Sequence, residues 1–275
     1  MSGLDDTTVQ VYSVLFVAIT VVLVYTARFF HARRGRRRRQ RQLAGVEQIS
    51  QWTTQSIESN RPLHLAFGDA GVGGDGTPAA LAGAEFFHHI IRRAHASDIS
   101  PIVSMSAPAT VPLGQDTVRR AWHKGEALSR AQWYPPDLAY AGAVTASMAV
   151  DEPAAHIMAG SFGAELALML DSADRHGQPS LAVSDRLDGQ AVAYALADHA
   201  LIGEELFAAP SALSEDDGGR IDAATLDVWR GLIILGLAVL LMLEFSKQLP
   251  LLSWQLVAAV AAILVVLGAI IYRRR

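Results

Sequence analysis

The chain has 275 residues, 51% of them hydrophobic and 18% charged, with 22 Gly, 11 Pro, no Cys and a formal net charge of −4. So much apolar surface excludes disorder over most of the length. The absence of Cys excludes a disulfide scaffold, thiolate metal clusters and a cysteine nucleophile.

Residues 11–27 carry no charge, and Phe29 and Phe30 extend them past a snorkelling Arg28 to bilayer-spanning length. Basic residues follow this stretch, Asp5 and Asp6 precede it, and no small-x-small cleavage site comes after it. That order points to an uncleaved anchor rather than a signal peptide. Between Arg33 and Arg41 lie seven arginines and no acid. Such a collar beside an apolar helix sets topology and attracts anionic lipid. Nucleic acid is not the expected partner, because no aromatics are interleaved. Residues 48–228 also hold 10 Lys and Arg against 23 Asp and Glu, a net of −13 that repels a polyanion.

Residues 43–60, with Val46, Ile49, Trp52 and Ile57, read as a linking amphipathic helix. From Arg61 the text alternates strand and helix. Strands are expected at 63–67, 101–105, 131–134, 154–158 and 179–183, each a short apolar run bounded by turn residues. Helices are expected to follow at about 77–96, 112–125, 137–150, 164–176 and 189–200, with Thr77 and Asp137 as N-caps and Pro78 at the first helical position. Alternation of this kind implies a Rossmann-like parallel sheet of about five strands with helices on both faces. Residues 214–228 are acidic and glycine-bearing, as a solvated linker is.

Two further apolar runs, 231–243 and 251–272, frame the hairpin loop 245–250. The first is short, and Trp229 with Glu244 at the headgroup level completes it. The chain ends on three arginines after Tyr272. Both basic segments belong on the cytoplasmic side, so the middle run must cross if the last one ends inside. Small residues in the third span, among them Ala258, Ala262 and Ala269, offer close-packing surface for the second span or for another chain.

Ligands of open α/β sheets sit at the carboxyl ends of the strands, and two candidate loops fall there. In the first, Gly71, Gly73 and Gly76 fit G-x-G-x-x-G ahead of Thr77, a pattern that lets backbone approach a phosphate at a helix N-terminus. Asp69 and Asp75 in the same loop oppose a pyrophosphate. In the second, Ser161 and Gly163 in Ala159-Gly-Ser-Phe-Gly163 approximate a nucleophile elbow, with Asp185 and His199 completing a Ser-Asp-His order. No His-Gly-Gly oxyanion motif precedes it, and a ligand-binding or packing turn is the plainer reading. The nine His form no metal-ligand spacing, since His88 and His89 are adjacent and His95 has no ligand partner at i+4. Glu204 and Glu205 read as acids capping an element, and no metal is expected.

The stretch Ala197-Asp-His-Ala-Leu-Ile-Gly-Glu-Glu-Leu-Phe-Ala-Ala209, with Glu152-Pro-Ala-Ala155, the Gly160–Glu165 turn and the Arg61-Pro62 entry, resembles an uncharacterised prokaryotic family of membrane-anchored proteins. The resemblance covers residues 45–213. It implies a cytoplasmic α/β domain tethered by membrane helices, with no established activity. Members tend to carry a Gly-Thr-Ala-Asp-like turn after the fifth strand; here Val183-Ser-Asp-Arg-Leu187 stands there.

The sequence therefore leads to five segments: an anchor at 1–30, a juxtamembrane segment at 31–60, an α/β domain at 61–213, a linker at 214–228 and a transmembrane hairpin at 229–275. The expected location is the bacterial plasma membrane, with the N-terminus outside and the α/β domain and C-terminus in the cytoplasm. The expected role is a non-catalytic oligomeric scaffold or sensor, as a homo-oligomer or a subunit of a larger membrane assembly. The alternative is a nucleotide-binding enzyme or sensor using the 71–76 loop, and serine hydrolase chemistry ranks behind both.

Overall fold

The computed structural model describes residues 43, 45–122 and 130–214, all within the compact unit Arg37–Arg220. The three expected spans, the arginine collar and all of the expected 214–228 linker after its first residue lie outside the described residues. Among the described residues no helix is long and apolar enough to cross a membrane.

Six strands, β1 (Leu63–Gly68), β2 (Ile102–Met105), β3 (Ala131–Trp133), β4 (Ala155–Ser161), β5 (Ser180–Ser184) and β6 (His199–Leu201), form one parallel sheet in the order β3-β2-β1-β4-β5-β6. Among the described residues seven α-helices accompany them: α1 (Val46–Ser59), α2 (Thr77–Arg93), α3 (Val111–Ala121), α4 (Leu138–Asp151), α5 (Leu166–Arg175), α6 (Leu187–Leu196) and α7 (Glu205–Leu213). The strands are buried on both faces in β1, β2, β4 and β5, which is why they read as unbroken apolar runs rather than alternating ones.

Side-chain alternation sends Leu65, Phe67, Ile157, Ala159 and Val183 to one face, where they meet α1, α2, α3 and α7. Ala66, Met158 and Ala182 go to the other, against α4, α5 and α6. Pro78 stands in the first turn of α2, where its missing N–H costs nothing. The buried stripe of α2 includes Gly83, whose absent side chain lets the helix close on β4; a Cβ there would lie 2.7 Å from the Ala159 carbonyl oxygen.

Three local expectations need correction. The sheet has a sixth strand: the helix expected through residue 200 ends at Leu196, and His199 lies on β6. The amphipathic helix expected as a linker is instead part of the domain core, with Val46, Ile49 and Trp52 buried in it. The N-cap position of α2 is Gly76 rather than Thr77, and Asp137 precedes α4 at φ 62° without a capping side-chain bond.

Candidate functional site

The strand order reverses between β1 and β4, so the loops after these neighbours depart toward opposite faces and part at the carboxyl edge. Asp69 straddles this switch point. Its N–H donates to the Ser161 carbonyl of β4 at 2.8 Å, and its carboxylate accepts from Ser106 Oγ beyond β2 at 3.3 Å. Ser106 in turn anchors an aromatic group, because the Trp133 indole N–H donates to the Ser106 carbonyl at 2.8 Å. Trp133 is 47% exposed at the end of edge strand β3.

The glycine-rich loop holds itself together. Gly73 N–H donates to Thr77 Oγ1 at 2.8 Å, and that hydroxyl donates to the Gly74 carbonyl at 2.7 Å. Thr77 N–H is bonded to the Gly74 carbonyl and Ala80 N–H to that of Gly76, while Pro78 has no N–H. The amides of Gly73 and Thr77 are therefore committed within the loop, and Pro78 supplies none. Gly73 has φ 101° with open space beyond its Cα. Gly76 makes a close approach, since a Cβ there would lie 2.8 Å from the Gly71 nitrogen.

Across the switch point, Ser161 ends β4 at 8% exposure. It pairs with Gly68 just past a shift in the β1–β4 register. Among the described residues its hydroxyl has no hydrogen-bond partner, and it is not sealed from solvent. The turn beyond is braced by Ser184, whose buried hydroxyl donates to the Phe162 carbonyl at 2.8 Å and accepts from the N–H groups of Phe162 and Arg186. Glu165 accepts the Gly163 N–H at 2.6 Å, and Arg186 pairs with Asp188 at 2.8 Å. A side chain at Gly163 would run into all three of these charged groups.

The structure thus brings Gly71, Gly73, Gly76, Thr77, Ser161 and Gly163 to one edge, but it does not assemble Ser161, Asp185 and His199. His199 pairs with Leu181, which is level with Ile157, four residues before Ser161 on its strand. That separation is ~13 Å along the sheet and two strands across it. His199 instead stacks near Trp52, with ring centroids 5.8 Å apart. Among the described residues no group of three or more His, Cys, Asp or Glu could hold a metal ion. Glu205 caps its own helix by accepting the Ile202 N–H at 3.0 Å.

Beneath this edge, on the face covered by α4 and α5, runs a buried polar chain. His64 and His156 pair in register on β1 and β4, with their Nδ1 atoms 3.1 Å apart and their rings edge to face. His64 Nε2 meets Ser104 Oγ at 2.8 Å, and Ser104 Oγ meets the Tyr140 hydroxyl at 2.8 Å. His156 Nε2 meets Gln178 Oε1 at 2.7 Å, and Gln178 Nε2 donates to the Met148 carbonyl at 3.4 Å.

The two ends set every proton between them. Gln178 Oε1 can only accept, so His156 carries its proton on Nε2 and accepts at Nδ1. His64 then donates from Nδ1 and accepts at Nε2 from Ser104, which accepts from Tyr140. The Tyr140 oxygen receives the Gly68 backbone N–H. Burial pushes the His156 pKa down to about 4, and it drives that of His64 well below the usual histidine range, with the neighbouring His156 adding to the shift. Burial likewise raises the Tyr140 phenol far above its ordinary value. Both imidazoles are neutral at pH 7, and the chain is satisfied from end to end. No sequence motif marks it. The available signal was that both histidines stand second in a short apolar strand, in Leu63-His-Leu and Ala155-His-Ile.

No curated protein and no solved structure matches the chain significantly. A family model described as a domain of unknown function (DUF6754) matches residues 5–249, and the chain belongs to that family.

Proposed function

We propose that this protein is a membrane-tethered α/β domain that senses a small ligand at its carboxyl edge and acts as a non-catalytic scaffold in an oligomeric membrane assembly. The observation that carries this reading is a reversed strand order, the place where open α/β sheets take ligands, beside which the reactive side chains are occupied structurally. Ser184 braces a turn, Thr77 closes the glycine-rich loop, Glu165 caps Gly163, and His199 lies two strands and four residues of register away from Ser161. The tether is supported by the three apolar runs and the two basic segments of the sequence. Transport is disfavoured because no charged residue lies inside an apolar run.

Mass measurement of the full chain in mild detergent tests the scaffold, with discrete oligomers expected. Monomers alone would refute it. Because the chain lacks Cys, single cysteines introduced near residues 5 and 274 give a clean topology test: the first should label from outside intact cells and the second only after permeabilisation. A fluorophosphonate probe that labels Ser161 would replace the sensor with a hydrolase.

A further inference from the structure

A surface helix ordinarily shows solvent a charged or polar face, and α4 does not. From Leu138 to Val150 it carries no charged side chain. Its hydroxyls at Thr145 and Ser147 are satisfied within the helix, donating to the Ala141 carbonyl at 2.7 Å and to Asp151 at 2.8 Å. Tyr140, Ala141, Val144 and Met148 form its buried side. The outer side is made of Leu138, Ala139, Gly142, Ala146, Ala149 and Val150, with Leu138 68% and Val150 82% exposed. The neighbouring α5 behaves normally, since Arg175 and Asp171 pair at 2.9 Å on its exposed surface. Among the described residues nothing covers the outer side of α4.

Charge narrows what can cover it. A contact about a two-fold axis sets a face against its own copy, so a charge near the axis meets itself. Residues 48–228 carry a net of −13, and most of such a surface repels a second copy. An uncharged face is where two copies can approach. A basic partner is drawn to the acidic surface instead, and a face without Lys or Arg lacks the charges that hold a peripheral helix on anionic lipid.

Residue order points the same way. About Val144, Leu138 mirrors Val150, Ala139 mirrors Ala149, and Gly142 mirrors Ala146. In an antiparallel helix pair whose two-fold axis is level with Val144, each of these stands level with its mirror residue on the other copy. Bulky ends then meet bulky ends, and the centre is small on both sides. Gly142 fits that use. Glycine weakens a helix interior, and no contact within the chain calls for it, because a Cβ there would meet nothing within 4 Å. A second helix approaching to ~8 Å between axes does call for it. The helix is only ~21 Å long, so the contact is smaller than the ~1,200–2,000 Å² of a stable soluble complex. It serves chains already gathered by a common membrane, where the effective concentration is high.

We propose that the outer face of α4 is a self-association surface, on which α4 of a second copy packs antiparallel about a two-fold axis. This names the partner and the contact of the scaffold proposed above and rests on that reading.

The absence of Cys allows a direct test on the full chain in mild detergent. Ala146→Cys treated with a short bismaleimide should give cross-linked dimers, whereas Ala191→Cys, at an exposed position of α6, should not. Adding Leu138→Glu and Val150→Glu to the Ala146→Cys chain should slow its cross-linking about tenfold, since like charges then stand level. Adding Leu138→Lys and Val150→Glu instead should restore it, because antiparallel pairing sets opposite charges level. Circular dichroism should be unchanged throughout, and the cysteine comparison decides even where a charged variant folds poorly. The proposal is overturned if Ala146→Cys gives no dimer, if Ala191→Cys cross-links as fast, or if the two charge variants, both folded, cross-link alike. A thiol at position 146 that forms no dimer and also resists a water-soluble maleimide assigns the face to lipid or to another protein, and overturns it too. Mass measurement separates the two readings. Discrete oligomers without cross-linking at position 146 sink this surface alone, whereas monomers sink the scaffold with it.

Discussion

Lowering the pH from 7 to 5 should destabilise the α/β domain by about 4 kcal/mol through His64 and His156. Both imidazoles titrate near 6.5 in an unfolded chain and well below that when folded, His156 at about 4. As the pH falls through 6.5, the unfolded chain therefore takes up protons that the native state refuses. Stability is complete above that pH and is lost progressively until His156 itself charges. At pH 5 the unfolded state has gained about 2 kcal/mol from His156. His64, held low by burial and by its partner, adds about as much. The native state cannot adapt easily, because a second proton on His156 would sit on Nδ1 and oppose the His64 Nδ1–H across 3.1 Å, and one on His64 would sit on Nε2 against the donating Ser104 hydroxyl. The surroundings offer no relief: His156 also faces His176 and Arg61, and the neutral groups Gln178, Ser104 and Tyr140 complete the shell.

The loss is a large share of the ~5–15 kcal/mol that holds a domain of this kind together. Urea unfolding of the full chain in mild detergent, followed by tryptophan fluorescence at pH 7, 6 and 5, reads it directly. His88 and His89, also shifted down by burial, contribute in the same direction. The decisive comparison is therefore His156→Gln, which keeps an acceptor for His64 and should remove about half of the pair's acid sensitivity. A wild-type midpoint that stays flat between pH 7 and pH 5, or a pH dependence unchanged in His156→Gln, refutes the neutral buried pair.

Other replacements have equally definite outcomes. Tyr140→Phe deletes the oxygen between Gly68 N–H and Ser104, leaves the Gly68 N–H unsatisfied and takes from Ser104 the bond it accepts, and should cost about 1–3 kcal/mol in urea denaturation. Ser184→Ala releases three hydrogen bonds around Phe162 and Arg186 and should cost a similar ~1–3 kcal/mol; hydrogen exchange at residues 160–166 should accelerate. Gly160→Ala drives a methyl group into the Phe67 carbonyl and should lower the yield of folded protein, with a loss of about 3 kcal/mol or more. Gly73→Ala meets no neighbour, so only its left-handed backbone resists, at about 1–2 kcal/mol.

The alternation of strands and helices was legible because β1, β2, β4 and β5 are short apolar runs closed by Gly, Ser or Pro, and α2 announces itself with Pro78. β6 was not, since His199-Ala-Leu201 is three residues long and follows a helix of similar Ala-rich composition. α1 was legible as an amphipathic helix but not as core, because periodicity reveals a buried stripe and not what buries it. At the carboxyl edge, the loop glycines were visible as a pattern, whereas Trp133 becomes part of the site only through its bond to Ser106, 27 residues away. The buried chain joins residues as many as 92 positions apart. Only parallel register brings His64 opposite His156.

That chain has a direction. Each link donates toward Gln178, from the Gly68 amide outward, so no member can be inverted without inverting all those beyond it. Five side chains on β1, β2, α4, β4 and the turn before β5 are thereby bound into one unit of descent. A lineage altering His64 strands Ser104 and Tyr140 on one side and His156 and Gln178 on the other, so drift at these five positions has to be concerted.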